Sequence, residues 1–99
     1  MIELAAIEGF DWDDGNARKS LHKHGVSQAE AEQIFAGEPL LVEDTGHSQV
    51  ETRFQALGET IEGRQLHVTF TLRDDGKKIR VISARDMNRK ERAYYEQKA

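Results

Sequence analysis

The chain has no cysteine among its 99 residues. That excludes a disulfide scaffold and any zinc or iron site built on thiolates. Apolar runs extend only a few residues, far short of the roughly 20 a membrane-spanning helix needs. The opening Met1-Ile2-Glu3-Leu4 has neither a basic region nor a cleavable apolar stretch, so the cytoplasm is the expected compartment. There is no P-loop, no GxGxxG, no GxSxG and no HExxH, which removes nucleotide, dinucleotide, serine-hydrolase and zincin chemistry. His22 and His24 fall on different sides of a helix, and His47 and His67 have no sequence-near partners. Neither a metal nor a cofactor is expected. Proline occurs once, at Pro39, and no repeat, low-complexity tract or linker interrupts the chain.

What is present suffices for one small domain. Leu, Ile, Val and Phe total 22, a modest core but not the depleted one of a disordered chain. Residues 1–9 lack a clear period and read as an N-terminal arm; residues 10–99 read as the domain. The net charge of −4 conceals a split. Residues 73–99 carry nine Lys and Arg against five Asp and Glu, a net +4, which leaves −8 on residues 1–72. Such a polarised field places any phosphate site on the last strand and helix.

The pattern predicts α+β architecture in the order β-α-α-β-β-β-β-α, an antiparallel sheet with its helices on one side. Phe10-Asp11-Trp12 alternates as a short strand. Asp13 or Asp14 caps a helix running to His24, with Gly25 in the left-handed position after it. Ser27 and Glu30 form a capping box for a helix that stops at Gly37. Leu40-Leu41-Val42 begins a strand ending in the turn-like Asp44-Thr45-Gly46. Val50 to Gly58 forms another, with Phe54 and Ala56 facing one way and Arg53 and Gln55 the other. Leu66, Val68, Phe70 and Leu72 alternate with polar residues in the clearest strand. Asp74-Asp75-Gly76 turns the chain into its partner, Lys78 to Arg85. Asn88 and Glu91 are a second capping box, opening a last helix to about Gln97.

Four groups of residues could carry chemistry. Arg85 leaves the last strand, and Arg89 and Arg92 share a face of the following helix. Planar guanidinium forks beside free helix N–H groups suit phosphate. A solvated helix with Arg92 paired to Glu96 explains the same residues equally simply. Lys23 and His24 at a helix C-terminus are favoured there by the dipole, and His24 can also act as a general acid or base. Arg53 either lines an open sheet face or pairs with an acid such as Glu43 or Asp44. Tyr94 and Tyr95 divide between packing on the sheet and exposure, and an exposed ring can stack on a base.

In order along the chain come Phe10-Asp11-Trp12-Asp13, Lys23-His24-Gly25-Val26-Ser27, Thr52-Arg53-Phe54-x-Ala56-Leu57-Gly58, Gly63-Arg64-x-Leu66, Arg80-Val81-Ile82-Ser83-Ala84-Arg85 and Glu91-Arg92-x-x-Tyr95-Glu96. Together they resemble the BrnT family of toxins from bacterial type II toxin–antitoxin modules, over about residues 10–97. The resemblance implies a RelE-like fold and a metal-independent endoribonuclease that blocks translation, acting on RNA free or on the ribosome. It implies a ribbon-helix-helix, BrnA-like antitoxin as partner, with operator DNA reached only through that antitoxin. Carried over by position, the catalytic candidates are Lys23, His24, Arg53, Arg85 and Arg92. Further RNA contacts fall to Arg64, Arg80, Arg89 and Tyr95. A non-catalytic RNA-binding or protein-interaction module is the alternative that composition alone leaves open.

Overall fold

The computed structural model describes residues 4–44 and 52–98. Thr45, Gly46, His47 and Val50, on which a turn, a histidine and a strand start were expected, lie outside the described residues. A short 3-10 turn at Leu4–Ala6 precedes β1 (Gly9–Phe10), α1 (Asp14–His24), α2 (Gln28–Ala36), β2 (Leu40–Asp44), β3 (Arg53–Glu59), β4 (Gln65–Arg73), β5 (Lys78–Asp86) and α3 (Arg89–Lys98). The element order is the expected one. β1 starts at Gly9, within the expected arm, and Ile7 of that arm packs against the core. No helix among the described residues is long and apolar enough to cross a membrane.

Local chemistry explains the boundaries. Before α1, the Asp13 and Asn16 side chains each accept from the other's backbone N–H, at 3.0 and 2.7 Å. Gly25 ends α1 with φ +67°, a conformation that costs a residue without Cβ little. Both capping boxes form. Ser27 Oγ accepts from Glu30 N at 3.1 Å while Glu30 accepts from Ser27 N at 3.0 Å. Asn88 and Glu91 do the same at 2.8 and 2.9 Å. The β4–β5 turn holds Asp74, Asp75 and Gly76 all at positive φ, which Asp tolerates better than most residues.

The sheet order is β1-β5-β4-β3-β2. β2 to β5 are an antiparallel meander, but β1 pairs parallel to β5, Phe10 opposite Ile79. The expectation of a wholly antiparallel sheet is corrected here. Alternation within one strand carries no information about its neighbour's direction. The meander fills every edge of β5 but one, and the chain reaches that edge already heading into α1.

One face of the sheet is the core. Ala56 from β3, Leu66, Val68 and Phe70 from β4, and Ile79, Val81 and Ala84 from β5 are buried against Val26, Ala31 and Ile34. Phe35 of α2 sits edge-on to both Phe10 and Phe70, centroids 5.7 and 5.1 Å away, and Phe54 stacks on Phe70 at 5.6 Å. A bulge interrupts the β4–β5 ladder. Thr69 pairs with Ser83, but the next residue, Phe70, pairs with Val81, so Ile82 is the extra residue. The bulge lets Val81 and Ala84, three apart, both face the core.

The helices do not share a side, as had been expected. α2 seats on the core face, where a Cβ at Gly58 would lie 2.8 Å from Ile34 Cβ. α3 is tied to the opposite face: its Glu91 meets Arg85 and His67, which are cross-strand partners there. That face would otherwise be open, and the ion pair at Glu91 draws α3 over one corner of it.

Candidate active site on the open sheet face

Strand alternation places Arg53 and Gln55 of β3, His67 and Thr69 of β4, and Ser83 and Arg85 of β5 on the face opposite the core. Their register is cross-strand, Gln55 to Thr69 to Ser83 and His67 to Arg85. These six line a cavity of about 460 Å³ with Ile82, Lys19, Lys23 and His24 of the α1 side, and Glu91 of α3. Lys19 and Lys23 are one helical turn apart and so reach the same rim. The cavity gathers four Lys and Arg side chains, two imidazoles and one carboxylate.

The carboxylate is already engaged. Arg85 donates from Nη1 and Nη2 to the two oxygens of Glu91, each at 2.8 Å, a bidentate pair. His67 Nε2 stands 3.7 Å from Glu91 Oε2 and is almost fully buried. Desolvation pushes the Glu91 carboxyl up, but the Arg85 fork, the Asn88 N–H and the nearby His67 outweigh it and hold it below the usual range. Arg85 is held correspondingly more firmly charged, by its hydrogen bonds to Glu91 against the cost of its own burial.

Arg64 fixes the α1 end of the cavity from behind. It donates to Asp86 through Nε at 2.7 Å and Nη2 at 3.1 Å, to Glu30 at 2.9 Å, and to the carbonyls of Gly25 and His24 at 2.9 and 3.3 Å. Those carbonyls are among the orphaned acceptors that end a helix. Hydrogen bonds to Asp86, then to Glu30, raise the Arg64 pKa despite partial desolvation. In return Arg64 depresses Asp86, where it is the leading cause. It also depresses Glu30, where the Ser27 N–H counts for more.

Four of the five expected catalytic residues, Lys23, His24, Arg53 and Arg85, thus line one cavity. Arg92 does not line it: its guanidinium turns back to donate to the Met87 carbonyl at 2.7 Å. Among the expected RNA contacts, Arg64 is the bracket just described. Arg80 is held by Asp13 at 2.9 Å and Asp11 at 3.5 Å. Arg89 is exposed on α3, away from the cavity lining. Tyr95 is half-buried, and burial followed by the charge of Glu59 raises its phenol pKa. Tyr94 is the more exposed of the pair.

Sequence reasoning missed Lys19, His67 and Glu91. Lys19 had a signal, its spacing of four from Lys23. His67 and Glu91 had none, because one was an outward residue of a clean strand and the other a capping residue. The expected concentration of phosphate-binding charge on the last strand and helix also shifts. Of the four Lys and Arg in the cavity, only Arg85 comes from that segment.

Comparison with known proteins places the chain in a family and matches its fold. The family model described as "Ribonuclease toxin, BrnT, of type II toxin-antitoxin system" matches residues 12–91. The 1.1 Å crystal structure of the Brucella abortus ribonuclease toxin BrnT is similar with a TM-score of 0.58 at 22% identity, covering 82% of this chain and 97% of that one. That likeness concerns the fold. No curated protein matches the chain. The chain belongs to the BrnT family, the ribonuclease toxins of type II toxin–antitoxin systems.

Proposed function

We propose that the chain is an endoribonuclease that cleaves RNA without a metal ion, using the cavity on the open sheet face. The observation that carries this is the convergence of Lys19, Lys23, Arg53 and Arg85 with His24 in one cavity. Four fixed cations suit a phosphodiester and repel a divalent cation. The one carboxylate among them is already held by Arg85.

The reaction uses the RNA's own nucleophile. The 2′-oxygen loses its proton and attacks the adjacent phosphorus. The bond from phosphorus to the 5′-oxygen breaks, and that oxygen takes up a proton. The products are a 2′,3′-cyclic phosphate and a 5′-hydroxyl. Arg53 and Arg85 stabilise the charge that builds on the phosphoryl oxygens, with Lys19 beside them. His24 and Lys23 are the groups that move the two protons. Glu91 and His67 set the orientation of the Arg85 fork. Arg92 is placed to support α3 rather than the phosphate.

In the cell, the proposed consequence is inhibition of translation, with RNA met free or on the ribosome in the cytoplasm. The fold is then RelE-like in use, its basic sheet face taking the RNA. The proposed partner is a ribbon-helix-helix, BrnA-like antitoxin that covers this face and carries the pair to operator DNA.

The test is cleavage of a synthetic RNA by purified protein in excess chelator, with the products identified by their termini. Arg53→Ala and Arg85→Ala are each expected to cost about 10²–10³-fold in rate, and His24→Ala about 10²–10⁴-fold. Wild-type protein that leaves RNA intact, both alone and on ribosomes, would overturn the reading. A non-catalytic module would show that result while still losing RNA affinity on Arg85→Ala.

A further inference from the structure

A second groove adjoins the cavity, with a volume of about 340 Å³ and lined by Val42, Gln55, Leu57, His67, Lys90, Glu91 and Tyr94. It shares Gln55, His67 and Glu91 with the cavity, so the two are continuous along one face of the sheet. Their chemistry differs. The cavity is cationic, whereas the groove is walled by an aliphatic floor and an aromatic ring. Among the described residues, Val42 and Tyr94 are two of the four large hydrophobics left exposed, at 48% and 46%, the others being Leu21 of α1 and Ile61. Val42 reaches this face because it pairs with Gln55, while its neighbour Leu41 pairs with Ala56 on the core side.

We propose that this groove is the subsite for a nucleobase of the RNA whose scissile phosphate occupies the cavity. The proposal rests on the ribonuclease reading above and adds where the substrate's base goes. A phosphate held by Arg53 and Arg85 leaves the adjoining nucleoside at the Gln55–His67–Glu91 boundary, facing the apolar part. A base is flat, and its faces seek an apolar or aromatic surface. Tyr94 supplies the ring and Val42 with Leu57 the opposing wall. Gln55 stands at the shared boundary with an amide that both donates and accepts, able to meet the polar edge of any base. Lys90 lies on the rim, and the Lys98 ammonium sits 5.9 Å from the Tyr94 ring centroid, so cations flank the groove where the next phosphates run. A ring without base-specific partners gives affinity with little sequence preference.

The experiment compares wild type, Tyr94→Ala and Tyr94→Phe on a short single-stranded RNA. Matching RNAs lack the base at one position beside the scissile bond. All are also prepared with a 2′-deoxy sugar at that bond, so that binding is read by fluorescence anisotropy without cleavage. Tyr94→Ala is expected to weaken binding of the intact RNA about tenfold, and Tyr94→Phe to keep wild-type affinity. Removing the base should cost wild type a similar factor and cost Tyr94→Ala nothing further. Equal affinity of wild type and Tyr94→Ala, or an undiminished base penalty in Tyr94→Ala, overturns the proposal. So does loss of antitoxin binding with RNA affinity unchanged, which would assign the groove to the protein partner. Failure of the ribonuclease reading shows separately, as cleavable RNA left intact by wild type while the anisotropy pattern still decides the groove.

Discussion

Arginine can satisfy several acceptors at once because its donors lie in a rigid plane, and Arg64 uses that plane to join two carboxylates and two carbonyls. Lysine cannot reproduce it. Arg64→Lys is therefore expected to behave nearly as badly as Arg64→Ala, lowering stability in urea by about 1–2 kcal/mol, a figure kept modest because the side chain is partly exposed. Cleavage should fall with it, in kcat more than in KM, because the carbonyl of His24 loses its tie. The carboxylates Glu30, Asp86 and Glu91 are all held below their usual values. Their contribution is complete above the ordinary carboxylate range and is lost as pH falls through the depressed values. Thermal melts between about pH 6 and about pH 2 should show Tm falling on the acid side, with Glu91→Gln starting lower and falling less steeply. Of these residues the sequence displayed Arg64 as an RNA contact, and Glu30 and Glu91 as capping residues. The bracing role of Arg64 was not legible, because a solvent-facing arginine in a turn reads as a free cation until its acceptors, distant along the chain, are brought to it.

The helices owe their starts to side chains that the sequence displayed plainly. Ser27→Ala and Asn88→Ala should each cost about 1 kcal/mol in chemical denaturation. Asn88→Ala removes the acceptor for the Glu91 N–H but keeps the Asn88 backbone N–H that donates to the Glu91 carboxylate, so cleavage should fall little. Gly58→Ala should cost about 1–3 kcal/mol, and Ile34→Val should not rescue it, because the crowded atom is Ile34 Cβ itself. The strands were legible to differing degrees. β4 alternates visibly, and its apolar residues are the centre of the core. Two of its polar residues are buried as well: Thr71, whose hydroxyl donates to the Thr52 carbonyl at 2.7 Å, and His67. Burial of His67 depends on α3 arriving from the other side, which no local period records. β5 was harder, since its bulge changes phase between Val81 and Ala84. The side taken by α3 could not be read from its own residues; its partners on that face, Arg85 and His67 for Glu91, come from β5 and β4.

At the scale of the molecule, net charge and local charge point in opposite directions. An acidic chain carries a cationic cavity whose lysines and arginines come from three separate stretches of sequence. Division of the chain into an acidic body and a basic tail leaves out three of the four cations that line the cavity, because folding brings cations together across the sheet and not along the chain. RNA affinity should accordingly depend on few phosphates. For a single strand, each phosphate contact adds about 0.7 to the slope of log affinity against log salt, so Arg53→Ala should reduce that slope by about 0.7 in anisotropy titrations. The order of assembly follows from the pairing of β1 with β5, where Phe10 lies opposite Ile79. During synthesis α1 and its lysines emerge long before the strand they pack along, and such distant contacts form late. The lining of the cavity is not complete until Glu91 has been made. Chains ended before β5 or α3 lack Arg85 or Glu91 and so part of the cavity lining, and on the ribonuclease reading proposed above they are expected to be inactive.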